Sequence, residues 1–178
     1  INLTYSDFAR ENLKKEGVLS DQIFKIGSPL FEVINFYKKK INENHYLKKN
    51  KLQKNKFVLV SFHRDENIQD DKILDNFIGI LKDLYKKYNY KIVVSTHPRL
   101  KEKVINNKVK LNKNIVFNKP FGYFEYLSLQ KSSLLVISDS GSITEEAGIL
   151  NFPAISLRRD IERQEAMDEG IIIMSDIN

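Results

Sequence analysis

The chain has 178 residues, 42% of them hydrophobic and 29% charged, with a formal net charge of +6. That is room for one full domain with a core, or one domain and part of another, at the composition of an ordinary globular protein. No apolar run approaches the ~18 residues a membrane span needs, and the absence of cysteine excludes disulfides, thiolate metal sites and a cysteine nucleophile.

Zero cysteine fits a cytoplasmic location. No secretory signal pattern is visible. The chain begins at Ile1 rather than Met, so an upstream segment is expected. His45, His63 and His97 are too scattered to argue for a metal site.

"YSDFARENLKKEG" (5–17) reads as a short helix, capped by Ser6 or Asp7 and ended by Gly17. "QIFKIG" (22–27) is strand-like, and "LFEVINFYKKKI" (30–41) has apolar residues at helical spacing. The Lys-rich run "KKKINENHYLKKNKLQKNK" (38–56) is the expected domain boundary. It reads as a solvated linker. A nucleic-acid or membrane surface is the competing reading, but no regular aromatic interleaving offers a stacking platform.

From there the pattern becomes regular. "FVLVSF" (57–62) is a short apolar run, as expected of a strand buried on both faces. "DDKILDNFIGILKDLYKKY" (70–88) is an amphipathic helix with a stripe of Ile73, Phe77, Leu81 and Leu84. Strands follow at 91–96, 114–118, 134–138, 153–157 and 171–174. Helices fall between them at 99–106, 122–132, 142–150 and 161–170. The alternation predicts an α/β fold: a Rossmann-like parallel sheet with helices on both faces. On this pattern the Rossmann-like domain is expected from about residue 45 to residue 178.

Ligands of such folds bind beyond the carboxyl ends of the strands, and functional side chains gather there. "SFHRDEN" (61–67) brings His63, Arg64, Glu66 and Asn67 together; "STHPR" brings His97 and Arg99; "SLRRDIERQE" brings Arg158, Arg159 and Arg163. Cations at this rim favour a phosphate-bearing ligand. Beside Arg64 and Glu66, His63 suits either proton transfer or charge-assisted phosphate binding.

"SDSGSITEEAG" (138–148) leaves an apolar strand, turns at Ser140-Gly141-Ser142 and starts a helix with Glu145 and Glu146. The N–H groups and dipole of a helix start favour an anion. The same residues fit a plain capping box, Ser142 with Glu145, which needs no ligand. That box leaves Glu146 unexplained. The pattern is neither GxGxxG nor GxxxxGK[ST], so neither a dinucleotide fingerprint nor a P-loop is indicated.

"SFHRDEN", "VVSTHPR", "NKPFGYFEYLSLQKSSLLVISDSGSITEEAGILNFPAISLR" and "ERQEAMDEG", taken together, resemble the non-hydrolysing UDP-N-acetylglucosamine 2-epimerases. Within that family the chain looks closest to the branch that makes UDP-N-acetyl-L-fucosamine for surface polysaccharides. The resemblance implies the C-terminal domain of a GT-B-like fold, in which two Rossmann-like domains face across a cleft. It also implies that most of the first domain lies outside this chain, with 1–36 as its end, 37–56 as linker and 57–178 as the UDP-binding Rossmann-like domain.

By that resemblance, the Ser140 hydroxyl and the backbone of Gly141 and Ser142 hold the UDP phosphates, and Glu146 binds the ribose hydroxyls. Tyr126 occupies the place of an aromatic that stacks on uracil, displacing its plain reading as core packing. His63 matches an active-site histidine, and Arg163 lies in an "ER-x-E" motif near the sugar or phosphates. The implied reaction inverts C2 of a UDP-amino sugar by eliminating UDP and adding it back. It uses no cofactor or metal, involves no nucleic acid or membrane, and is carried out by a homodimer at full length. Ser142 replaces a glycine of the common "DSGG" form, and Gln164 stands where the family usually has proline. The alternatives are a GT-B glycosyltransferase donor domain and a non-catalytic nucleotide-binding domain.

Overall fold

The computed structural model describes residues 1–43, 45–106, 111–158 and 165–177. The N-terminal part begins with β1 (Asn2–Thr4), α1 (Asp7–Lys15) and, after a 3-10 turn, β2 (Ile23–Lys25). Strands β1 and β2 form a separate parallel pair. Helices α2 (Pro29–Phe36), α3 (Lys38–Ile41) and α4 (His45–Lys49) follow. The rest alternates: β3 (Phe57–Phe62), α5 (Asp65–Gln69), α6 (Asp71–Tyr88), β4 (Lys91–Thr96), α7 (Pro98–Asn106), β5 (Ile115–Asn118), α8 (Tyr123–Ser132), β6 (Leu135–Ser138), α9 (Ile143–Leu150), β7 (Ala154–Leu157), α10 (Glu165–Asp168) and β8 (Ile173–Ser175).

The main sheet has the order β5-β4-β3-β6-β7-β8, with every pairing parallel. The expected α/β class is what the structure has. The first three strands build outward in one direction from β3, and the last three in the other from β6. The order therefore reverses between β3 and β6, where α/β sheets open a crevice beyond their carboxyl ends.

Side chains of β3 alternate between the two faces, as the pleat requires. Val58, Val60 and Phe62 join Phe77 and Leu81 of α6 in one core cluster. Phe57 and Leu59 join Leu129 of α8 and Ile143 and Ala147 of α9 in another. Phe62 and Phe77 stack with centroids 4.1 Å apart.

Helix α6 starts where the Asp70 carboxylate accepts from the N–H groups of Lys72 and Ile73, at 2.8 and 3.1 Å. It ends at Asn89, whose φ of 54° is the left-handed conformation that asparagine tolerates at a helix end. Its buried face is Leu74, Phe77, Ile78 and Leu81. Ile73 and Leu84, expected in the stripe, are half-buried flanks of the same cluster.

The lysines of the Lys-rich run are exposed. The run folds into α3 and α4, and its few apolar residues are anchors. Ile41 is buried with Ile34 and Leu127, and Leu52 belongs to the second core cluster. Lys49 Nζ and Asn50 Nδ2 donate to the buried Glu125 carboxylate of α8 at 2.9 and 2.8 Å. Burial opposes ionisation of Glu125, but these two donors outweigh it and hold its pKa below the usual value. Among the described residues, no helix is long and apolar enough to cross a membrane.

Candidate functional site

The loops leaving β3 and β6 meet at the reversal point. Ser61 pairs with Ser138 in the ladder, and the Asp139 N–H donates to the Ser61 carbonyl. Asp139 is thereby carried under the residues that follow Phe62. Its carboxylate is fully buried, at 0% exposure. It accepts from the backbone N–H of His63 at 3.0 and 3.1 Å, from that of Arg64 at 2.9 Å, and from Asn67 Nδ2 at 3.2 Å. His63 Nδ1 lies 2.9 Å from Asp139 Oδ1, with the His63 side chain 46% exposed. The bond to Asp139 raises the His63 pKa above its ordinary value, against partial burial and the nearby Arg64. For Asp139, burial pushes upward, but the His63 and Arg64 donors outweigh it and hold the carboxyl below the usual range.

In the sequence Asp139 is one polar residue of a turn, with no motif to mark it. The usable signal was an acidic residue directly after an apolar strand. The register that pairs Ser138 with Ser61, and so brings it to His63, is not written in either segment.

The helix start at α9 differs from a capping box. Ser142 provides no side-chain cap. Its hydroxyl donates instead to Glu146 Oε1 at 2.8 Å, one residue beyond the expected Glu145. Glu145 faces away and accepts from the Ser28 hydroxyl at the start of α2. Ser140 and Ser142 hydroxyls lie 3.0 Å apart. Gln130 Nε2 of α8 donates to Glu146 Oε2 at 2.6 Å. Ser140, Ser142, Glu146 and Gln130 thus form one polar chain, running from the turn to a carboxylate only 7% exposed. Because Ser142 does not cap the first-turn N–H groups, the anion-binding character of a helix start is retained.

Tyr126 lies beside this chain, half-buried against the second core cluster. Burial, reinforced by the Glu146 charge and opposed by the polar side chains of Ser61, Gln130 and Ser138, pushes its pKa up to about 12. Part of its ring surface is therefore already used in packing. Tyr123, one turn earlier, is 44% exposed and also feels the Glu146 charge.

Arg64 is paired with Glu66 at 2.9 Å. The two line a cavity of about 280 Å³ with Arg158 and Asp176, between the ends of β3 and β7. On the other side, His63 and Arg64 border a shallower depression of about 430 Å³ with His97 and Arg99. The structure thus brings together His63, Arg64 and Glu66 at one loop, and Ser140, Gly141, Ser142, Glu146 and Tyr126 at the neighbouring one. Arg163, with Arg159, lies outside the described residues.

A family model described as UDP-N-acetylglucosamine 2-epimerase matches residues 1–178. The UDP-N-acetylglucosamine 2-epimerase of Methanococcus maripaludis is 35% identical over 174 residues, covering 94% of this chain and 48% of that protein. A UDP-N-acetylglucosamine 2-epimerase structure from Rickettsia bellii aligns with a TM-score of 0.88 and 37% identity, over 100% of this chain and 47% of that one. A Methanocaldococcus jannaschii UDP-GlcNAc 2-epimerase, solved in complex with UDP-GlcNAc and UDP, aligns at 0.87 with 31% identity, over 99% of this chain and 50% of that one. The chain spans about half the length of the curated relatives it matches.

Proposed function

Because this chain belongs to the UDP-N-acetylglucosamine 2-epimerase family, we propose that it is the nucleotide-holding half of a non-hydrolysing UDP-N-acetylhexosamine 2-epimerase. The observation that carries this reading is the polar chain Ser140–Ser142–Glu146 at the start of α9, next to the Asp139–His63 pair. The pyrophosphate rests on the backbone of Gly141 and Ser142 and the Ser140 hydroxyl. Glu146 exchanges its bond from Ser142 for the ribose hydroxyls, and the accessible part of Tyr126 faces uracil. Arg163 supplies a cation.

Inversion at C2 proceeds by anti elimination of UDP, giving a 2-acetamidoglycal, and re-addition of UDP with the opposite C2 configuration. UDP leaves as an anion and must stay bound, so donors fixed where its charge develops lower the barrier. A base takes the C2 proton and an acid returns one to the other face. These groups come from a first domain, of which residues 1–36 are the end. The separate β1–β2 pair and its exposed Leu3, Phe24 and Ile26 support that division. At full length the enzyme is a cytoplasmic homodimer supplying precursors for surface polysaccharide. UDP-N-acetyl-L-talosamine is the alternative substrate.

Two measurements test the proposal. Titration of the 178-residue chain with UDP, followed by amide NMR, is expected to shift Ser140–Ser142 and Glu146; binding that leaves those residues unmoved rejects the site. The full-length parent, incubated with UDP-GlcNAc and with UDP-N-acetyl-L-talosamine, should invert C2 of one of them. The chain alone should invert neither, and measurable inversion by it would overturn the division of labour.

A further inference from the structure

We propose that Asp139 is a positioning residue that holds His63 by Nδ1 as a cation, so that the outward Nε2–H donates to the anion at the start of α9. This rests on the nucleotide-holding reading above and assigns a role that the reading leaves open, since His63 suits both a base and a cation. The first support is geometric. The Asp139 carboxylate accepts the backbone N–H groups of His63 and Arg64 and the Asn67 amide as well as the ring. A carboxylate bound by so many donors is ionised and acceptor-only, so Nδ1 must carry the proton it shares. Nε2 has no hydrogen-bond partner among the described residues.

The second support is the charge balance. Around the ring lie Arg64, Asp65 and Glu66 from the β3 loop and α5, and His97 and Arg99 from the end of β4 and the start of α7. Arg64 is paired with Glu66 and Arg99 with Asp65. Those charges largely cancel in place, which leaves the buried Asp139 as the charge whose partner is the imidazole. An ion pair with a desolvated carboxylate favours imidazolium over neutral imidazole. The raised pKa of His63 agrees in direction. A neutral ring in this tautomer would present a bare Nε2, a base; the cation presents an N–H. His63 therefore clamps the leaving diphosphate, and the C2 proton is taken elsewhere.

The test uses the chain with its histidines labelled with 15N, titrated by NMR with and without UDP. In the wild type, His63 should titrate above 6.5, its ordinary value, with both ring nitrogens protonated at neutral pH. UDP should move its midpoint higher still. In Asp139→Asn the midpoint should fall, and UDP affinity at pH 7.5 should drop about tenfold while being largely retained at pH 5.5, the loss of one charge-assisted hydrogen bond. A purely structural Asp139 would not produce that pH dependence.

A wild-type midpoint at or below 6.5, or one unmoved by bound UDP, overturns the proposal. So does an Asn variant with the wild-type midpoint and pH profile. If Asp139→Asn does not fold, the wild-type titration with and without UDP decides alone. UDP that shifts Ser140–Ser142 but not the His63 midpoint sinks this inference and spares the functional reading. UDP that binds without touching Ser140–Ser142 sinks the reading itself.

Discussion

Glu146 is held from both sides, by Ser142 on one oxygen and Gln130 on the other. In Glu146→Gln the side chain keeps its shape and one acceptor, so the fold should survive with a similar melting profile. A ribose facing a neutral amide loses charge-assisted bonds worth ~1.5–3 kcal/mol, and calorimetry should show UDP affinity down about ten- to a hundredfold. The Asp139–His63 pair sets a pH dependence whose sign is fixed by its two shifts. His63 is raised, so its contribution to stability is complete below 6.5 and is lost as pH climbs through the higher folded value. Asp139 is lowered, so its contribution is present above 3.8 and is lost as pH falls through the lower folded value. Urea midpoints should decline on both sides of a window between these, and Asp139→Asn should flatten the profile. Glu146 stood out in the sequence because a capping box could not account for it. The choice of Glu146 over Glu145 as the partner of Ser142 was not legible, because three- and four-residue spacings both bring side chains together on a helix.

Among the elements, α6 is the one whose start, end and apolar face the sequence announced most fully, because caps and periodicity are local properties. Gly79 is the exception within it. A Cβ built there meets nothing within 4 Å, so no close approach requires glycine. Gly79→Ala should stabilise the protein by ~0.5–1 kcal/mol through helix propensity alone, read as a rise of ~1–4 °C in Tm. A lower Tm would mean that the backbone needs the freedom. The short helices α3 and α4 were illegible for the opposite reason. Eight lysines between 38 and 56 drown the signal of Ile41 and Leu52, and what seats the run is a set of contacts with α8, far along the chain. The short strand β1 went unread, because three residues carry no period.

At the scale of the molecule, the fold class followed from the alternation of strands and helices, whereas the order of the strands did not. That order decides the site: it sets β3 beside β6, so that His63 and Asp139 meet across 76 residues of sequence. Nothing in either segment names the other as neighbour. The all-parallel sheet has a further consequence, for kinetics. With no hairpin anywhere in it, no strand pair can zip up locally, and the central ladder joins Val58 to Leu135 and Ser61 to Ser138. Closing loops of that length is slow and comes after local helix formation. After dilution from denaturant, helical circular dichroism should therefore recover before the ability to capture nucleotide, and a fluorescent uridine nucleotide would time the closure of the last long loop.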